Sequence, residues 1–99
     1  MDTQKQMIEN IVNKFIEQYN YDFDLAEFDY FEKVEVIEYG VELLSHKWGI
    51  LDGEPSKFVN AILNNNLNET ISNSNVITIH FLKLYVNLLY VYPDKPTNI

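Results

Sequence analysis

The chain has no cysteine and no arginine. The first absence excludes disulfides, thiolate metal sites and cysteine nucleophiles. The second leaves seven lysines as the only fixed positive charges, against fifteen acids, for a net charge of −8 and a pI near 4.5. Proteins that hold nucleic acid cluster positive charge and use arginine for phosphate and base contacts. Direct nucleic-acid binding is therefore not expected, and anionic membrane surfaces are disfavoured for the same reason. The most apolar stretch, 76–92, is about 17 residues, short of the ~20 that a bilayer span requires. There is also no basic segment followed by an apolar run and a small-residue cleavage site, so no signal peptide is expected and the cytoplasm is the expected location.

Ninety-nine residues suit one domain, 1–99. A chain of this size buries roughly 65% of its unfolded surface, enough for one core. Hydrophobic residues make up 46% and aromatics 14%, which argues against disorder. There is no internal repeat.

Residues 4–19 read as an amphipathic helix with Met7, Ile8, Ile11, Val12, Phe15, Ile16 and Tyr19 on one side, and Thr3 with Gln6 as a capping box. In the acidic-aromatic stretch 21–32, Asp24 with Glu27 can cap a short helix. A second stripe follows: Val34, Ile37, Val41, Leu44 and Trp48. Phe28 and Phe31 fall opposite it on a helical wheel, which predicts a break near Lys33. Gly49 and Gly53 end the longer helix. Pro55 suits the first turn of a third helix carrying Phe58, Val59, Ile62 and Leu63. Leu67 and Ile71 suggest one further turn. Seven asparagines between Asn60 and Asn75 are expected to cap and turn.

His80, Lys83 and Asn87 stand at i, i+3 and i+7 in the apolar stretch 76–92, one polar edge on a buried helix. A strand pair is the rival reading, given the Val, Ile, Thr and Tyr there; the period near 3.6 favours helix. The expected fold is all-α: a compact bundle of about four to five helices around a central apolar C-terminal helix (76–92), with 93–99 a frayed tail beyond Pro93.

The run Phe58, Ala61, Leu63, Asn65, Asn66, Leu67, Glu69, Ile71 and Asn75 resembles a pattern in small phage and prophage helical proteins. Their F-x-x-A-x-L-x-N-[DN]-L motif precedes an apolar helix that ends near L-Y and a proline. Phe81, Leu82, Val86, Leu89, Tyr90 and Pro93 match that helix without a gap. Asn66 and Asn75 stand where the pattern has aspartate, and either residue can cap a helix. The resemblance covers about a third of the chain. It implies a helical accessory protein of a mobile element and no particular activity.

Neither histidine has a sequence partner that completes a nucleophile–base set. His80 reads as a boundary residue, and His46 sits in a helix's last turn, where polar groups suit the dipole. Asp22, Asp24, Glu27, Asp29 and Glu32 lack the glycine of a calcium loop and are interrupted by Phe23, Leu25 and Phe28. No catalytic residue, cofactor or metal is expected, and the chain is not expected to be an enzyme.

Charge placement carries the functional reading. Between Asp22 and Glu42 eight acids face Lys33 alone, a net of −7. An acidic run is ordinarily a solvated face. Glu35, Glu38 and Glu42 nevertheless share one helical face, where like charges cost the isolated helix a few tenths of a kcal/mol each. Aromatics lie among them, as at interface hot spots. The expected partner-binding residues are Asp24, Glu27, Phe28, Asp29, Tyr30, Phe31, Glu32, Glu35, Glu38, Tyr39 and Glu42. The expected partner is a host or phage protein with a basic surface, and the expected role is to inhibit or modulate a nucleic-acid-processing protein, such as a defence nuclease, by occupying its basic groove. The alternative is a structural or regulatory accessory protein that homodimerises through surplus apolar surface on the 76–92 helix.

Overall fold

The computed structural model describes residues 3–18, 28–97 and 99. Six helices and no strand occur among them: α1 (Thr3–Gln18), α2 (Tyr30–Lys47), α3 (Lys57–Leu63), α4 (Leu67–Ser72), α5 (Val76–His80) and α6 (Leu82–Val91). The protein is an all-α bundle. The expected Asp24–Glu27 cap and Tyr19 lie outside the described residues.

Polar side chains set the helix boundaries. Asp29 and Glu32 form the capping box of α2: Glu32 N donates to Asp29 Oδ1 at 2.8 Å, and Asp29 N donates to Glu32 Oε1 at 3.0 Å. The expected break near Lys33 does not occur, because α2 starts at Tyr30 and runs through Lys33 without interruption. α2 buries more than one stripe, so a position opposite the 34–48 stripe is no sign of a break. α2 ends in a Schellman motif: Gly49, at φ 72, donates to His46 O at 3.2 Å, and Ile50 N donates to Ser45 O at 2.8 Å. Thr3 is already helical, so it is not the cap of α1, and Gln6 Nε2 donates instead to Asn10 Oδ1 at 3.1 Å.

Pro55 precedes the third helix rather than opening it; Ser56 is the N-cap of α3. The asparagine run is a series of helix ends. Asn64 is the C-cap of α3, and Asn65 takes the left-handed conformation, φ 55. Asn65 N then donates to Ile62 O at 3.0 Å and Asn66 N to Ala61 O at 2.9 Å, a second Schellman motif. Asn66 caps α4 by accepting from Glu69 N at 3.1 Å. Asn75 caps α5 by accepting from Thr78 N at 2.8 Å, and Asn75 N donates in return to Thr78 Oγ1 at 2.7 Å. The expected capping by asparagine is what the structure has.

The expected helix over 76–92 is divided at Phe81, with its period kept. Phe81 N donates to Ile77 O at 3.1 Å, closing α5, and Tyr85 N donates to Phe81 O at 3.2 Å, opening α6, so Phe81 caps one helix and starts the next. Ile77, Phe81, Leu84, Tyr85 and Leu88 face the core, while His80 and Lys83 reach solvent.

One core joins Ile8, Val12 and Phe15 of α1, Val36, Leu43 and Leu44 of α2, Phe58 and Val59 of α3, and the inner face of α5–α6. α2 touches α1, α3, α5 and α6. Its Gly40 makes the close approach: a Cβ there would stand 2.9 Å from Val12 Cγ1 and 3.6 Å from Leu88 Cδ2. Tyr39, Phe58 and Tyr85 meet edge-to-face at centroid separations of 5.4, 5.8 and 6.4 Å, tying α2, α3 and α6 together. After α6, Tyr92 O accepts from Trp48 Nε1 at 3.1 Å, and Ile99 packs against the core.

Candidate functional site

On α2, Val36, Gly40 and Leu43 pack on one side, Val41, Leu44 and Ser45 on another. Phe31, Glu35, Glu38 and Glu42 follow at i, i+4, i+7 and i+11, within roughly 60° of one another on a helix turning about 100° per residue. They form a row in which Phe31 and Glu38 are exposed and Glu35 and Glu42 are half-buried. Phe31 heads it and is 81% exposed; Tyr30 beside it is 73% exposed, and the two rings meet edge-to-face at 5.8 Å.

The other expected binding residues have internal tasks. Asp29 and Glu32 are occupied in the capping box. Phe28 is half-buried and stacks on Phe81 at 5.3 Å and His80 at 5.4 Å, closing the end of the core. Tyr39 is half-buried among Phe58 and Tyr85. Asp24 and Glu27 lie outside the described residues, as does most of the acidic run considered for calcium.

The row is anchored at both ends. Glu35 Oε1 accepts from Asn75 Nδ2 at 2.9 Å, which ties α2 to the cap of α5. Glu42 Oε1 accepts from Ser56 N at 2.7 Å, which ties α2 to the start of α3. Glu38, between them, is exposed. On one side a shallow depression is lined by Glu35, Glu38, Tyr39, Glu42 and Ser56; on the other, Lys5 and Glu9 of α1 share a groove with Glu38 and Glu42. Burial, then the charges of Glu35 and Glu42, hold the Tyr39 hydroxyl above the usual tyrosine range. Burial, then Glu35 and Tyr39, push Tyr85 much further up, and its hydroxyl donates to Val36 O at 3.0 Å.

Lys5, Ser56 and Asn75 are the neighbours that sequence reasoning missed. Each lies far along the chain from the row, and nothing in local spacing signals them. Among the described residues no three histidines, aspartates or glutamates come together in a metal-binding group, and no helix is long and apolar enough to cross a membrane. No protein-family model matches the chain, and neither a curated protein nor a solved structure is significantly similar to it.

Proposed function

We propose that this is a binding protein, not an enzyme, and that it docks the Phe31–Glu35–Glu38–Glu42 row of α2 onto the basic surface of a partner protein. The observation that carries this reading is the pair of exposed rings, Tyr30 and Phe31, at the head of an acidic row on a rigid helix. Carboxylates alone attract any basic surface and speed encounter. An uncovered phenylalanine adds apolar area that a partner pocket can desolvate, the arrangement of interface hot spots. The partner class is a nucleic-acid-processing protein, whose basic groove is built for a row of anions; occupancy would exclude DNA or RNA by charge and bulk. The resemblance at 58–75 supports an origin in a phage or mobile element, with a host defence nuclease as one such target.

The test uses the wild-type protein and a Phe31→Ala, Glu38→Lys double variant as baits on lysate. Both side chains are exposed and neither makes a core contact, so the variant folds. Wild type is expected to retain a basic protein that the variant loses, and to displace a labelled oligonucleotide from that protein once purified. Equal retention by both baits, or undiminished oligonucleotide binding, overturns the proposal.

A further inference from the structure

A second face of the molecule has the opposite chemistry. From Thr70 to Pro93 the sequence contains no Asp or Glu, although the chain holds fifteen. Along α6, Leu82, Val86 and Leu89 follow at i, i+4 and i+7, the spacing of a helix-pairing seam, with Val86 open and Leu82 and Leu89 half-buried against the core; Ile79 of α5 lies exposed before them. Ile79 is 43% and Val86 52% exposed, and Tyr90, one turn beyond Val86, is 85% exposed. Leu82 and Val86 also form one wall of a cleft of about 90 Å³ whose other wall is Ile62 and Leu67, the latter 64% exposed. That is room for a side chain, not for a helix.

We infer that this face is a homodimer interface, with two copies of α6 crossing antiparallel about a two-fold axis at Val86 and each Tyr90 entering the partner copy's cleft beside Leu82. The spacing is self-complementary. About an axis at position 86, residues equally far before and after it meet, so Leu82 of one copy faces Tyr90 of the other. The most exposed ring on the face thus arrives at the cleft beside Leu82. An isologous contact requires one patch to carry both halves of the fit, and this patch does.

Charge selects a second copy over a basic partner. The face carries no carboxylate to attract a cation, and Lys83 at its edge can lay its stem over apolar surface while its ammonium stays in water. Two copies at −8 repel elsewhere, and they can approach closely where the acids stop. The open aliphatic side chains and Tyr90 together offer roughly 500 Å², short of the ~800 Å² per partner of a standard interface, which suits a weak dimer.

The absence of native cysteine allows a direct test. Val86→Cys places a single thiol in each copy at the axis, and a mild oxidant is expected to convert it to a disulfide-linked dimer. Val76→Cys is 81% exposed but lies off the seam, and is expected to remain largely uncrosslinked. Sedimentation of the unmodified protein from about 1 μM to 1 mM measures the dimer constant. Val86→Glu opposes two carboxylates at the axis and is expected to weaken the dimer roughly a hundred-fold or more, with an unchanged helical spectrum. Tyr90→Ser is expected to weaken it at least about ten-fold. Added salt is expected to tighten the dimer by screening repulsion, the reverse of its effect on an acidic-face partner. A wild type that stays monomeric throughout, equal crosslinking of the two cysteine variants, or a Val86→Glu protein that dimerises as wild type overturns the inference.

Discussion

At the scale of single residues, Tyr85 shows how a polar atom is carried into the core. Its ring is almost wholly buried, and its hydroxyl is satisfied by Val36 O. That carbonyl lies 49 residues away in sequence. Tyr85→Phe removes one neutral hydrogen bond and is expected to cost about 1 kcal/mol at pH 7. The alkaline limb carries the sharper signature. Tyr85 and Tyr39 have folded pKa values above the unfolded value of about 10. The unfolded chain therefore releases these protons first, and the stability they contribute is intact below pH 10 and lost as pH rises above it. The buried Tyr85 phenol, held neutral, contributes a slope of up to roughly 1.4 kcal/mol per pH unit in that window, and the more open Tyr39 contributes less. Urea unfolding at pH 7 and pH 11 is expected to show a smaller alkaline loss for Tyr85→Phe than for wild type. Equal losses would mean that the buried phenol ionises as freely in the folded state as in the unfolded one. The cap residues Asn66 and Asn75 were legible in sequence because a cap spans three residues. The partner of Tyr85 was not, because only the tertiary fold brings it there.

At the scale of elements, α2 is the piece that sequence periodicity described least well. The stripe Val34, Ile37, Val41, Leu44 and Trp48 marks one packed side. A second side runs through Val36, Gly40 and Leu43, and periodicity has no way to announce a helix enclosed by four others. Reading one stripe made Phe28 and Phe31 look misplaced and suggested a break; the capping box at Asp29–Glu32 is what divides them. Phe28 precedes the cap and turns into the core, while Phe31 follows it and faces out. Gly40 is the residue that lets the element be crowded. Gly40→Ala gains about 1 kcal/mol in helix propensity. Its methyl would stand 2.9 Å from Val12 Cγ1, on a β-branched side chain that is stiff at χ1 and 1% exposed. Overpacking of this kind costs about 1–3 kcal/mol. Net destabilisation of about 1 kcal/mol is expected, and trimming Val12 to alanine in the same chain is expected to relieve it, giving a coupling of at least about 0.5 kcal/mol in a double-mutant cycle. A Gly40→Ala protein more stable than wild type would show that α1 and α2 are free to part.

At the scale of the whole molecule, charge is distributed by face. The acids stop at Glu69 and resume at Asp94, and Glu35, Glu38 and Glu42 share one face of α2. Self-repulsion follows from this, since opposing lysines are few. Replacing Glu35, Glu38 and Glu42 together by glutamine removes three charges and keeps an acceptor oxygen for Asn75 Nδ2 and for Ser56 N, so both anchoring bonds survive. Relief of like-charge pairs at i+3 and i+4 is worth about 0.2–0.5 kcal/mol each, which translates to roughly 2–5 °C in a domain of this size. The triple variant is expected to melt higher than wild type at 0.01 M salt, where the Debye length is about 30 Å, and the two are expected to converge near 1 M, where it is about 3 Å. Glu17→Gln, on the outer side of α1, serves as the control and is expected to shift the melting point little. Binding to a basic partner runs the other way: the triple variant is expected to associate more slowly, and wild-type affinity is expected to fall as salt rises. A row that costs the fold stability and gains partner encounter rate should give thermal and binding titrations of opposite sign in salt. If wild type and triple variant melt together at every ionic strength, the carboxylates are not repelling one another, and the row then shows no conflict with folding for a partner to resolve.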